Sequence, residues 1–345
     1  MKKIFIVFFY LPLFLIGRTT PLNIYYQQIN NAENYLVDGN YYAALTSYHK
    51  AQKIRELFGC DILNAAVAAS KVDDIKEVVY FVKMLLAKGL DRKFIETFPG
   101  LQKFRDTIIA STKNVPLLKT INLNYRNKIL SMIELDQKFL KTPELRKTHQ
   151  DTIIKIFRNN AHRLLAFINQ YGFPSEERVG IGKTNIANAV AVLIIHQSAG
   201  DKQVVNFSPY LKKAIMEGEY DNRQGATLIE MSDGKLNLEF NPLSIVRASF
   251  DTFYYANDPS GNKIKKDTTF FTKWGTVPIT DSAKLAFNQR RKGINLDTVD
   301  EAFRKSIFQN VHPEFILGNR DIGITYRRVL YSEYLHMKNS LTYLE

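Results

Sequence analysis

The sequence predicts a mainly α protein: helical-repeat hairpins followed by an α-helical domain with a small antiparallel β insertion. Three observations carry that prediction. Between residues 125 and 198, apolar side chains recur at three- and four-residue steps. Between residues 25 and 89, shorter helical patterns pair up around small residues and glycine turns. Around residues 236–240, apolar and polar residues alternate instead, as in a half-buried strand.

With 345 residues there is room for two domains. Hydrophobic and charged contents of 45% and 23% are ordinary for a globular protein, whereas a net charge of +13 is not. The basic residues are dispersed among acids, and Arg290-Arg291-Lys292 is the longest run. No zinc-finger, basic-zipper or RNA-recognition signature accompanies them, so specific nucleic-acid binding is not expected. A basic exported protein near anionic lipid or glycan surfaces is the simpler expectation.

Met1-Lys2-Lys3, the apolar run 4–16 and Gly17 read as a signal peptide over residues 1–17. The folded part is therefore expected to be exported, periplasmic or secreted, in a bacterium. The apolar run is short for a membrane span, which leaves an uncleaved leader as the only expected membrane attachment. Cys60 stands alone, cannot form an intrachain disulfide, and is expected as a small core residue.

Residues 22–113 are expected to form helical repeats and a connector. Gly39, Tyr42, Leu45, Tyr48 and Ala51 follow one another at three-residue steps, with Tyr35 ahead of them. This resembles a tetratricopeptide repeat, in which the glycine permits close helix approach and Tyr and Ala fill the gap. A second pair joins the small-residue helix at Asn64-Ala65-Ala66-Val67-Ala68 to a partner over residues 74–88, ended by Gly89. Two repeats need stacked neighbours, so they are expected to dock against later helices. They serve either as a concave groove for a peptide or another envelope protein, or as a packing appendage. Pro99-Gly100 and Pro116 punctuate the connector, and the boundary falls at residues 114–118.

Residues 119–345 form the second, mostly helical domain. On a first helix over 125–141, Ile129, Met132, Ile133 and Leu140 mark one face, and Asp136 and Gln137 fall on it. A buried carboxylate is costly unless paired, so an Arg, a protonated His or backbone N–H groups must face Asp136. A second helix, over 144–172, buries Ile153, Phe157, Ala161, Leu164 and Ile168, with Asn160 on the same stripe. Gly172 and Pro174 end it. A third, over 185–198, is apolar nearly all round and closes on His196. Such buried polar groups either form a catalytic centre or cross-link helices by hydrogen bonds.

The loop Gly180-Ile181-Gly182-Lys183-Thr184 is not a phosphate-binding loop. Glu177 stands where the first glycine is needed, and a helix rather than a strand precedes. Short helices follow over 206–219, with Ser208 as N-cap, and over 221–231. Strands are expected over 236–240, 250–255 and 268–274, joined through a turn at 257–262, and helices over 281–292, 298–308 and 326–344.

Taken in order, several motifs resemble an uncharacterised bacterial domain family. They are Asp136-Gln137, Asn160 with Tyr171-Gly172-Phe173-Pro174, Ile195-His196-Gln197, Trp274-Gly275-Thr276, and Asn288-Gln289-Arg290-Arg291-Lys292. The resemblance covers about residues 125–300. It implies a polar centre drawn from Asp136, Gln137, Asn160, His196, Arg290 and Arg291. Three departures stand out: Ile195 replaces a Gln before the His, Phe157 an acid, and an Asp-Arg pair near 228–231 is missing. They imply a member with an eroded centre.

Two functions follow. One is a binding or scaffold protein of the cell envelope. The other is a hydrolase-like enzyme with Asp136 or His196 as base and Arg290 or Arg291 holding an anionic group. The six histidines lack metal-ligand spacing, and no nucleotide loop is present, so no cofactor is expected.

Overall fold

The computed structural model describes residues 20–183, 190–197, 203–232, 240, 245–246, 274–276, 279–317 and 342–344. The expected signal peptide, the first half of the third helix, most of the strand segments and residues 326–341 of the last helix lie outside them. Among the described residues the chain is mainly helical. No described helix is long and apolar enough to cross a membrane.

The first four helices are α1 (Pro21–Val37), α2 (Tyr41–Gln52), α3 (Gly59–Lys71) and α4 (Ile75–Ala87). They form two hairpins, with α2 also packed on α3. Local chemistry sets their starts. Thr20 caps α1 with Pro21 as its first residue, Asn40 caps α2 and Asp74 caps α4. Helix α3 is buried almost all round because alanines let its neighbours approach from every side. Gly39 serves differently from expectation. A Cβ there would meet nothing within 4 Å, so its positive φ of 71°, not close helix approach, calls for glycine.

A connector follows, with α5 (Arg92–Thr97), a 3₁₀ turn (Pro99–Phe104) and α6 (Arg105–Ser111). Then come α7 (Leu123–Gln137), α8 (Pro143–Thr148), α9 (Gln150–Tyr171), α10 (Glu176–Val179), α11 (Ala191–His196), α12 (Ser208–Met216), α13 (Asn222–Ser232), α14 (Asp281–Gly293) and α15 (Val299–Val311). The helix expected over 144–172 is two. His149 leaves helical geometry while its ring stacks on Phe139, and α9 starts afresh after it. Ser208 lies inside α12 as its first residue, and its N–H donates to Asn206 Oδ1 at 2.9 Å.

A self-contained β insertion is not supported. Three short segments pair antiparallel: β1 (Ile245–Val246), β2 (Trp274–Thr276) and β3 (Thr342–Leu344). Their register sets Ile245 opposite Thr276 and Gly275 opposite Tyr343. The third strand therefore comes from the chain's end, where a helix was expected.

Two hydrophobic clusters organise the molecule. One unites α1–α4 and the connector with Ile181, Phe315 and Leu317 from far downstream. The other joins α7, α9 and α11 to α12 and α13 through residues such as Met132, Leu164, Leu193 and Ile215. The hairpins do dock on later helices. Asn30 and Asn34 donate to Glu301 on α15, and Asn64 clamps the Ile316 backbone with bonds of 2.7 Å each way. Asn30, Asn34 and Asn64 are thus engaged by the chain itself.

Candidate functional site

Helix α7 turns Ile129, Met132 and Asp136 to one buried side, and α9 does the same with Phe157, Asn160 and Leu164. Helix α11 brings His196 to them as its last residue. The buried Asp136 finds its partner there: His196 Nδ1 lies 2.7 Å from Asp136 Oδ2. Gln137, half-buried, donates to the same oxygen at 2.8 Å. Phe157, where the resemblance implies an acid, instead puts its ring 4.5 Å from the imidazole. Asn160 Nδ2 donates to the Met132 carbonyl at 3.2 Å, one turn before Asp136.

Four of the six expected residues therefore share one corner, and two do not. Arg290 is exposed and lies over the Phe287 ring. Arg291 is fully buried, but its guanidinium is held by Asp297 and by the Phe240 carbonyl at 3.2 Å. Neither contacts Asp136 or His196. The corner is also incompletely bonded. Asp136 Oδ1 and Asn160 Oδ1 are buried and accept nothing. The His196 side chain is 26% exposed, whereas Asp136 is 1%. In a neutral imidazole facing an ionised carboxylate the ring proton sits on Nδ1 and Nε2 is the acceptor. This arrangement can take a proton, but among the described residues no hydroxyl or thiol is bonded to the imidazole.

Gln197, the next residue, was not foreseen. Fully buried, it exchanges two 2.9 Å bonds with the Val205 backbone and closes the loop after α11.

The larger unforeseen feature is a seam of buried charges between the N-terminal hairpins and α13–α15. Arg223, at the start of α13, pairs with Glu33 of α1, Asp61 of α3 at 2.8 Å and Asp221 at 2.5 Å. Lys305 of α15 pairs with Glu33 at 2.9 Å and with Asp297 at 3.0 Å, and Asp297 in turn holds Arg291. Four acids (Glu33, Asp61, Asp221, Asp297) thus meet three cations (Arg223, Lys305, Arg291). Burial pushes the Asp61 carboxyl up to about 7 against the pull of Arg223, with Asp221 and Glu33 adding to the rise. The excess acid is relieved there. At Asp297 burial pushes upward too, but Lys305 and Arg291 prevail and hold it below its ordinary value. Tyr25 donates to Asp61 at 2.9 Å and completes the shell.

Cys60, Asp61 and Asp221 each offer a ligand atom within 4.8 Å of the others, yet a cation already occupies the space. Arg223 Nη2 lies 3.2 Å from Cys60 Sγ, and burial pushes the thiol away from the thiolate a metal would need. The set fits an internal guanidinium, not a metal ion.

Arg126 shows what the glycine loop does. Its guanidinium donates to the carbonyls of Val179, Ile181 and Gly89. Carbonyls aimed inward are the wrong polarity for a phosphate cradle. Gly180 is required, since a Cβ would sit 2.3 Å from the Lys88 carbonyl at a φ of 70°.

Set against protein-family models, curated proteins and solved structures, the chain matches none of them.

Proposed function

We propose that the protein is a binding or scaffold protein exported to the bacterial cell envelope, with the N-terminal helical hairpins carrying the partner. The observation that carries this reading is the separation of the polar residues. A hydrolase built on Asp136 and His196 needs a cation to hold its anionic group, and Arg291 is spent inside the seam on Asp297. The hairpins, in contrast, are welded rigidly to the rest of the chain, which suits a docking platform.

One observation favours a second reading, the hydrolase-like one. His196 is partly exposed and has Asp136 behind Nδ1, the order in which a carboxylate orients a general base.

The two readings part in one experiment. His196→Ala is compared with the native protein for partner capture from envelope extract and for hydrolysis of ester, amide and phosphate substrates. The binding reading expects capture to persist and no hydrolysis to depend on His196. A hydrolysis lost in His196→Ala at an unchanged melting temperature would overturn it.

A further inference from the structure

We propose that the outer face of α2 and α4 docks an acidic segment of a protein partner, an inference that rests on the binding reading above. The two helices meet through their side chains. Gln52 Nε2 donates to the Tyr80 hydroxyl at 2.6 Å, and His49 Nε2 meets Glu77 Oε2 at 2.9 Å. The His49 ring also packs on Tyr80 and Phe81. Outward from this contact α2 presents Tyr42, Lys50 and Lys53, and α4 presents Lys76, Tyr80 and Lys83. The α2 stripe runs about 16 Å along its helix.

The four lysines are all exposed, and none has an acidic partner among the described residues. Exposed cations nearby are treated differently: Lys71 pairs with Glu314, Lys103 with Asp73 and Arg304 with Asp38. Acids on and beside the two helices are already engaged. His49 holds Glu77, Lys88 meets Glu56 at 3.4 Å, and Asp74 caps α4 through bonds from Lys76 N and Glu77 N. The face therefore carries four uncompensated positive charges. Beside them stand two exposed rings, Tyr42 at 70% and Tyr80 at 43%. Tyrosine gives a large rigid contact with a hydroxyl at its tip, and it is enriched at interfaces.

Separate carboxylates fit this face best. Lysine is a point charge on a flexible stem, suited to meeting side chains individually. No aliphatic side chain of the two helices is fully exposed for a bilayer to take up; Ile75, Val79 and Met84 are partly buried.

The test is fluorescence anisotropy of the full chain with a labelled Glu/Asp-rich peptide containing phenylalanine. Reversing Lys50, Lys53, Lys76 and Lys83 to Glu is expected to weaken binding on the order of tenfold to a hundredfold, the combined scale of four exposed ion pairs. A charge-matched control with Lys119, Lys141, Lys147 and Lys155 reversed is expected to stay within about twofold. Tyr42→Ser/Tyr80→Ser is expected to weaken binding while leaving its salt dependence unchanged. Replacing the four face lysines by Gln, which keeps helix propensity, should reproduce the loss if folding is not its cause. Equal losses in face and control variants would overturn the proposal. So would absent peptide binding, or tighter binding of phosphatidylglycerol vesicles or an oligonucleotide through the same four lysines. An envelope partner whose capture survives the reversals rejects this face and leaves the binding reading standing. A hydrolysis dependent on His196, with peptide binding retained at the face, does the reverse.

Discussion

Two regions of this molecule bury charge, and they do so in opposite ways. In the seam four of the seven ionic groups have more than one counter-ion. Glu33 takes both Arg223 and Lys305, and Asp297 takes both Lys305 and Arg291. At the α7–α9–α11 corner one carboxylate has one imidazole as its ionic partner and one amide donor beside it, and two buried oxygens have no donor. The seam uses up its bonding capacity inside the protein. The corner keeps some in reserve, beside a half-exposed ring. Full satisfaction marks a structural weld, whereas leftover capacity is what a site would need.

The comparison breaks first at Arg223. Arg223→Met removes the one cation shared by Glu33, Asp61 and Asp221, and should destabilise the protein by about 3–5 kcal/mol in urea unfolding. A loss below about 1 kcal/mol would mean that water reaches the seam after all.

The next effect is pH-dependent. Asp61 has a folded value of about 7 against an ordinary 3.8, so the folded state holds a proton that the unfolded chain releases between those values. Its contribution is present in acid and is lost as pH rises through about 7. Asp297, held low, works the other way, and its contribution is lost as pH falls through its depressed folded value. Stability should therefore decline from mildly acidic to neutral pH, and Asp61→Asn should flatten that decline. An unchanged slope in Asp61→Asn would place the proton elsewhere.

At the corner the effects are smaller. Asp136→Ala leaves a half-exposed His196 and a half-buried Gln137 without their partner, so the expected cost is about 1–3 kcal/mol. A melting temperature equal to that of the native protein would show that the Asp136–His196 pair holds nothing. Asn160→Leu should come smallest of all, within about 1 kcal/mol. It removes an unbonded oxygen together with one 3.2 Å bond and adds apolar volume to a packed face.

The corner was legible in the sequence because polar residues interrupted helical stripes. Ile129, Met132 and Asp136 share a face, as do Phe157, Asn160 and Leu164, and all six are buried. The same reasoning applied to α1 would have exposed the seam. Glu33 lies on the stripe of Ile29, Ala32 and Leu36, and Lys305 follows Ala302 by three residues on α15. What no periodicity reveals is which of these groups meet. Asp221 and Arg223, one residue apart at a helix start, read locally as a cap. Their partners Glu33 and Asp61 lie far back in the chain. Arg290 and Arg291 misled for a related reason. Adjacent residues on a helix point about 100° apart, so one became buried and the other faced water. The third strand was hidden because residues 342–344 read locally as helix.

The central claim is that the seam makes the hairpins and the helices behind them unfold as one body. Native-state hydrogen exchange on Arg223→Met measures this directly. The account predicts that amides of α1 and α3 lose protection by the same free energy as those of α13 and α15. Retained protection in α1–α4 beside lost protection in α13–α15 would contradict it.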